Sequence, residues 1–436
     1  MNRVVVTGLG CITPIGNTVG AFRESLYAGR TGIAPFDLSL LPGALSPDPG
    51  IRYKTTAKVK DFHPTQNPDQ HLSSGFILTS ELGAQFGIIA ARQAVAESGF
   101  LQHYDPAAIA IVTGCSCGGR GADEDANRNL YLRNARVPPT AIIRTMASSG
   151  TSNIAIENGI TGPVFNISTA CASGTHAIGL AFHMVRSGMA PAAIAGSYEA
   201  PLTYGFLRAW DSMRVVSPTA CRPLSVDRDG MTLGEGAAMM ILEPLDSALA
   251  RGARIYAEIA GFGMSADAHH ITQPRAEGAA LAMRRALDDV TTSLGAPHLA
   301  SETWASRVGY INAHGTGTPT NDAVEAAAIH QAFGDLASAI PVGATKSLTG
   351  HSIGAAGAIE AIATILALET GSLPHTAGVT TVDPTLNLDV IVNQPRPLSS
   401  GKDLALSNSL AFGGLNAVLA FRQYTSDTSR VLGAIP

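Results

Sequence analysis

Short β-rich apolar runs alternate with longer alanine-rich stretches along nearly the whole chain. The runs at residues 4–7, 108–113, 192–195, 237–242, 256–261, 308–312 and 340–344 read as strands. The stretches at 81–98, 172–187, 277–294, 322–333 and 355–370 read as helices. Such alternation predicts an α/β protein with buried, mostly parallel strands. Residues 37–70 are rich in proline and polar side chains, which predicts loop and insertion rather than core. A faint internal echo links Arg3–Gly10 with Ile255–Gly263, each a strand running into a Gly-x-Gly turn. It hints at two similar halves with a seam near residues 251–254.

Composition narrows the class. A chain of 436 residues has room for two or three domains, or for one large duplicated unit. Charged residues make up 14%, against ~25% in an average protein, which points to extensive buried surface and an oligomer. The formal net charge of −5 supplies no basic field for nucleic acid or an anionic membrane. No run reaches the ~18 uninterrupted apolar residues of a membrane span, and the apolar start at residues 4–6 is too short for a signal peptide. Five scattered cysteines (Cys11, Cys115, Cys117, Cys171, Cys221) argue against a disulfide framework and for a reducing, cytoplasmic setting.

Three loops carry residues suited to chemistry, each where a predicted strand gives way to a predicted helix. In the first, Thr169-Ala170-Cys171-Ala172-Ser173-Gly174, a thiol sits at a helix N-terminus. There the macrodipole and N–H donors lower a thiol pKa from ~8.5 toward roughly 3.5–7.5 when other factors help. A free cysteine is more often an inert buried one. The second, Asn312-Ala313-His314-Gly315-Thr316-Gly317-Thr318-Pro319, offers an imidazole and two hydroxyls, though a turn-capping histidine fits it equally. The third, Lys346-Ser347-Leu348-Thr349-Gly350-His351, pairs an ammonium with an imidazole, and Glu360 lies within reach to neutralise Lys346. A surface Lys–Glu pair is the bland alternative. In open α/β sheets ligands bind beyond the carboxyl ends of strands. All three loops sit there, and a thiol with imidazoles is the composition for acyl transfer through a covalent thioester. The segments 408–416 and 227–236 fit the same rim.

Together these motifs, with Phe412-Gly413-Gly414, resemble the β-ketoacyl–acyl carrier protein synthases, the elongating enzymes of type II fatty acid and polyketide synthesis, from Val4 to Phe421. The resemblance implies the thiolase-like fold, a duplicated five-layer α-β-α-β-α core with halves at 1–254 and 255–436. It implies a homodimer, or a heterodimer with a chain-length-type partner. Cys171 would take an acyl group from an acyl carrier protein, and a malonyl thioester would lose carbon dioxide and attack it. His314 and His351 would act on the thioester carbonyl and departing carboxylate. The N–H groups of Cys171 and Phe412 would form the oxyanion hole. Lys346 would order the site with Glu360. Thr316, Thr318 and Thr272 would hold the pantetheine arm, while Phe412 and Met231 would shape the acyl pocket and its gate. The chain would need no cofactor or metal of its own, since phosphopantetheine arrives on the carrier.

Three departures from the family pattern stand out. Met231 replaces a usual phenylalanine and Ser225 a usual aspartate; Leu415 follows Phe-Gly-Gly where threonine is common; and residues 72–81 lack the basic patch for a carrier protein. They fit specialised metabolism as readily as primary fatty acid synthesis. A thiolase would carry a second cysteine late in the chain, and none follows Cys221. Initiating synthases use Cys–His–Asn, which His351 argues against, and a non-catalytic chain-length subunit lacks the nucleophile. His176 is expected to pack inside, His269 and His270 to adjoin a substrate loop without a marked role, and Cys115 and Cys117 to line a turn near the acyl tunnel or a dimer contact.

Overall fold

Eleven strands join in one mixed sheet in the computed structural model, which describes residues 1–41, 50–294 and 301–425. In chain order they are β1 (Val4–Ile12), β2 (Ala110–Gly114), β3 (Val164–Ile167), β4 (Ala193–Glu199), β5 (Gly236–Pro244) and β6 (Ala257–Ala266). Then follow β7 (Val308–Asn312), β8 (Pro341–Gly343), β9 (Asp389–Val390), β10 (Leu404–Ala411) and β11 (Leu415–Gln423). Across the sheet the order is β9-β8-β7-β10-β11-β6-β1-β5-β4-β2-β3.

That order contains one pattern twice. Reading outward from the centre, β1-β5-β4-β2-β3 and β6-β11-β10-β7-β8 each place their strands first, fifth, fourth, second, third, with β9 added at one edge. The two runs meet where Val4–Val6 of β1 pairs antiparallel with Ala257–Ile259 of β6. These central strands are the two segments joined by the faint sequence echo. The expectation of mostly parallel strands needs correction. Pairing is parallel on the flanks, as in β2–β4 and β7–β10, but antiparallel through the middle from β4 to β10. A strand buried on both faces is continuously apolar whichever way its neighbour runs, so patterning alone did not report direction.

Six helices matter for the site: α1 (Leu82–Ser98), α2 (Ser173–Ser187), α3 (Tyr204–Met213), α4 (Ala276–Ser293), α5 (Pro319–Phe333) and α6 (Ala356–Thr370). α1 covers β1 and β5 on one outer face, α4 covers β6 and β11, and α5 packs on α4. α2 and α6 pack on each other between the two runs. Three apolar cores follow from these layers. Phe86 and Ile89 anchor the first, Met283 and Ile329 the second, and Ile178, Phe182, Ile362 and Leu366 the central one. The result is α-β-α-β-α.

Residues 356–368 of α6 are all buried. A helix that is apolar all round belongs in a core. The segment Ile353–Thr370 is apolar and long enough to cross a membrane by composition, yet 89% of it is buried inside the protein. α2 approaches α6 closely because of Gly357, where a Cβ would lie 2.1 Å from Thr175 Oγ1. That approach brings together the loops preceding the two helices. The expectation that residues 37–70 stay out of the core also fails. Tyr53 is fully buried among Phe206, Leu207 and Met231, and its hydroxyl donates to Leu207 O at 2.7 Å. A single aromatic in a polar stretch leaves no periodic trace.

Candidate active site

Cys171 sits at the head of α2, four residues beyond Ile167 at the end of β3. Ala170 adopts φ +49°, a left-handed conformation unusual for a residue with a Cβ. Ser173 fixes it: its Oγ donates to Ala170 O at 2.6 Å and accepts from Thr169 N at 2.9 Å. The elbow leaves the thiol facing a cavity, a use of strain common at reactive centres.

His314 follows β7. Its N–H and that of Gly315 donate to the two oxygens of Glu325, on α5, at 2.8 and 2.9 Å. Asn408 on β10 donates to the same carboxylate at 3.1 Å. His351 is held by its backbone, donating to Thr232 O at 2.7 Å and accepting from Gly234 N at 2.9 Å. These anchors converge the side chains. Cys171 Sγ lies 3.1 Å from His351 Nε2, and the rings of His351 and His314 are 5.4 Å apart and nearly perpendicular at 88°.

Lys346 is fully buried behind His314. Its three N–H donors reach Glu360 Oε1, His314 O at 2.6 Å and His314 Nδ1 at 3.2 Å. An ammonium only donates, so His314 Nδ1 must accept and the ring proton sits on Nε2. Burial, with the neighbouring Lys346 charge, holds both imidazoles well below the usual histidine range, so both are neutral near pH 7. Burial pushes the Glu360 carboxyl up to about 7 against the pull of Lys346.

The thiol corrects the sequence expectation. Burial pushes Cys171 up to about 12, and Lys346 offsets only part of that, so the resting sulfur is a thiol rather than a thiolate. Cys171 is 6% exposed, and desolvation outweighs its place at a helix N-terminus. Alkylation by iodoacetamide should therefore speed up about tenfold per pH unit from pH 7 to 9. Peptide mapping of the Cys171 adduct would show this, and a plateau below pH 8 would mean a preformed thiolate.

Cys171, His314 and His351 open into a cavity of about 370 Å³. Thr316, Thr318, Thr272 and Asn321 line its polar side, and Trp210, Met231, Leu410 and Phe412 its apolar side. Thr316 and Thr318 hydroxyls are 2.9 Å apart, and the Thr272 hydroxyl is 3.3 Å from His270 Nδ1. His270, given no role from sequence, lines the cavity too. Lys346 and Glu360 stand behind the histidines and do not line it. Ser225 is buried, its Oγ donating to Thr381 O at 3.1 Å.

Several residues of the site carried no signal in the sequence. Glu325 and Trp210 lie on helices, where a carboxylate reads as a solvated face and an indole as core. Glu199 is another: buried, its carboxylate accepts from the N–H groups of Ser116 at 2.9 Å, Cys117 at 3.0 Å and Gly354 at 3.2 Å. It ties the turn at 115–117, with Cys115 Sγ also 3.3 Å away, to the segment just after His351. His176 packs inside, Nδ1 3.0 Å from Thr169 Oγ1.

Comparison with known proteins agrees with this geometry. The family model for the β-ketoacyl synthase N-terminal domain matches residues 1–248, and that for the C-terminal domain matches 256–380. The chain is 41% identical to 3-oxoacyl-[acyl-carrier-protein] synthase 2 of Synechocystis sp. over 97% of this chain and 98% of that one. It is 37% identical to nodulation protein E of Rhizobium leguminosarum bv. trifolii, over 97% and 99%. Among solved structures, the ishigamide ketosynthase/chain length factor superposes with a TM-score of 0.85 at 32% identity, covering 97% of this chain and 100% of that one. A type II PKS acyl-carrier protein in complex with its ketosynthase gives a TM-score of 0.83 at 28% identity, covering 97% and 100%. The chain belongs to the β-ketoacyl synthase family and is a chain-elongating ketosynthase of the acyltransferase class.

Proposed function

We propose that the enzyme condenses an acyl group carried on Cys171 with a malonyl group delivered by acyl carrier protein, releasing carbon dioxide and lengthening the chain by two carbons. The 3.1 Å approach of Cys171 Sγ to His351 Nε2, beside a second neutral imidazole, carries this reading. In the first half-reaction the sulfur attacks the incoming thioester, and its proton passes through His351 Nε2 to the departing pantetheine sulfur. In the second, the malonyl C–COO⁻ bond breaks and its electron pair forms an enolate, whose oxygen accepts from the Nε2–H groups of His314 and His351. The enolate carbon bonds to the acyl carbonyl. The tetrahedral oxyanion, held by the N–H groups of Cys171 and Phe412, collapses and expels the thiolate of Cys171.

The two histidines differ in a way that suits these steps. His314 is locked as a donor by Lys346. His351 Nδ1 meets no hydrogen-bonding protein group among the described residues. No protein group thus fixes its tautomer, and it serves as proton acceptor first and donor afterwards. Lys346 and Glu360 order the site without transferring protons, Phe412 gates the acyl pocket, and Met231 shapes its wall. Thr316, Thr318 and Thr272 flank the pantetheine arm, which the carrier supplies. The exposed Arg214 on the cavity rim is placed for the carrier's phosphate.

In this reading residues 1–254 and 255–436 are the two halves of the unit. β3 is an edge strand with nothing paired to its outer side among the described residues, and Phe165 on it is 40% exposed. Such an edge suits a homodimer or a chain-length-type partner.

Given acyl and malonyl carriers, the enzyme should release one carbon dioxide for each chain lengthened by two carbons. From pH 8 to 6 malonyl decarboxylation should not fall through protonation of the imidazoles, which burial keeps neutral there; the group that titrates in this range is Glu360 behind them. A fall in rate centred near pH 6.5 that persists in Glu360→Gln, or product without carbon dioxide, would contradict the mechanism.

A further inference from the structure

Trp210 and Phe412 stack, ring centroids 5.8 Å apart and planes within 18° of parallel, and both rings line the cavity into which Cys171 opens. They are held by different elements. α3, which carries Trp210, is pinned along its length. At its start the Glu124 carboxylate accepts from the Thr203 hydroxyl, from Gly205 N at 3.0 Å and from Phe206 N at 3.2 Å. In its middle the buried Tyr53 hydroxyl bonds Leu207 O, and near its end Asp211 accepts from Arg52 Nε at 3.1 Å. Phe206 braces the indole from the side, with ring centroids 6.0 Å apart.

Phe412, by contrast, stands at the mouth of the β10–β11 hairpin and runs straight into Gly413 and Gly414, at φ +86° and +70°. Two glycines in succession are the easiest backbone to re-aim. The turn is tied too, Gly413 N donating to Ile271 O at 2.7 Å and Gly414 O accepting from Asp267 N at 2.9 Å, so displacing Phe412 means loosening these two bonds while Trp210 stays on a helix anchored at three points.

We propose that Trp210 is the positioning residue of the gate: its indole holds Phe412 in place and sets how readily an incoming acyl chain displaces it. The proposal rests on Phe412 being the gate. A stacked aromatic pair biases such an equilibrium by roughly two- to tenfold. Trp210→Leu should therefore raise the rate of Cys171 acylation relative to malonyl decarboxylation, which needs no acyl-pocket opening, by about that factor. Trp210→Phe keeps a stacking ring and should restore the slower loading.

Fluorescence gives a second readout on the unaltered enzyme. The chain has two tryptophans, and Trp304 is fully buried in the α4 core beneath Arg307. Acylation should shift the emission of Trp210, and the shift should vanish in Trp210→Phe. Loading of Trp210→Leu at the wild-type rate, or wild-type emission indifferent to acylation, overturns the proposal. Phe412→Ala separates two kinds of failure. If it speeds loading while Trp210→Leu does not, the gate stands and the part given to Trp210 falls. If Phe412→Ala also changes nothing, Phe412 is not the gate.

Discussion

Cys171→Ala should stop chain elongation, lowering turnover by on the order of 10⁴ or more, while the protein still folds. Alanine fits the elbow, since Ala170 and Ala172 already flank it and only the sulfur is lost from the central core. Without the sulfur no acyl-enzyme forms, and the enolate has nothing to attack. The two imidazoles are untouched, so decarboxylation of the malonyl carrier should continue without a condensation product. Intact mass after incubation with acyl carrier should show the acyl adduct on the native chain and none on the variant. Elongated product from Cys171→Ala at anything near the native rate would remove Cys171 from the role of nucleophile.

What the sequence exposed, and what it hid, divide along a physical line. Cys171, His314, Lys346 and His351 stood out because reactive side chains in glycine- and threonine-rich turns, each between an apolar strand and a helix, do not fit a plain core or a plain surface. Each of the seven strands and five helices read from the alternating pattern falls on an element of the fold, though α3, β9, β10 and β11 are not among them. Local pattern is blind to properties created by assembly. Helix position alone pointed to an acidified thiol, but the sulfur's protonation is set by how completely two packed halves dry it, and burial raises it instead. Glu325 is invisible for the same reason. It lies eleven positions after His314 on a helix, and only the fold turns its carboxylate back to hold the N–H groups of His314 and Gly315. Strand direction, the burial of Tyr53 and the Trp210–Phe412 stack are also decided by partners more than 100 residues away or by the path between elements.

His351→Ala should separate the two half-reactions, cutting condensation by about 10²- to 10³-fold, the cost of losing one donor to a developing oxyanion. Acylation should also slow, because the thiol loses its hydrogen-bond partner at 3.1 Å, but by at least about tenfold less. The reason lies in where each proton can go. In acyl transfer the departing pantetheine sulfur is itself a proton acceptor, so His351 shortens a path that still exists without it. In decarboxylation the enolate oxygen needs donors already in place, and His314, locked by Lys346, supplies only one of the two. Rapid-quench measurement of acyl-Cys171 formation beside release of carbon dioxide from malonyl carrier resolves the two rates. Equal loss in both would mean that His351 serves the thiol alone, and that the enolate is stabilised by His314 with some other group.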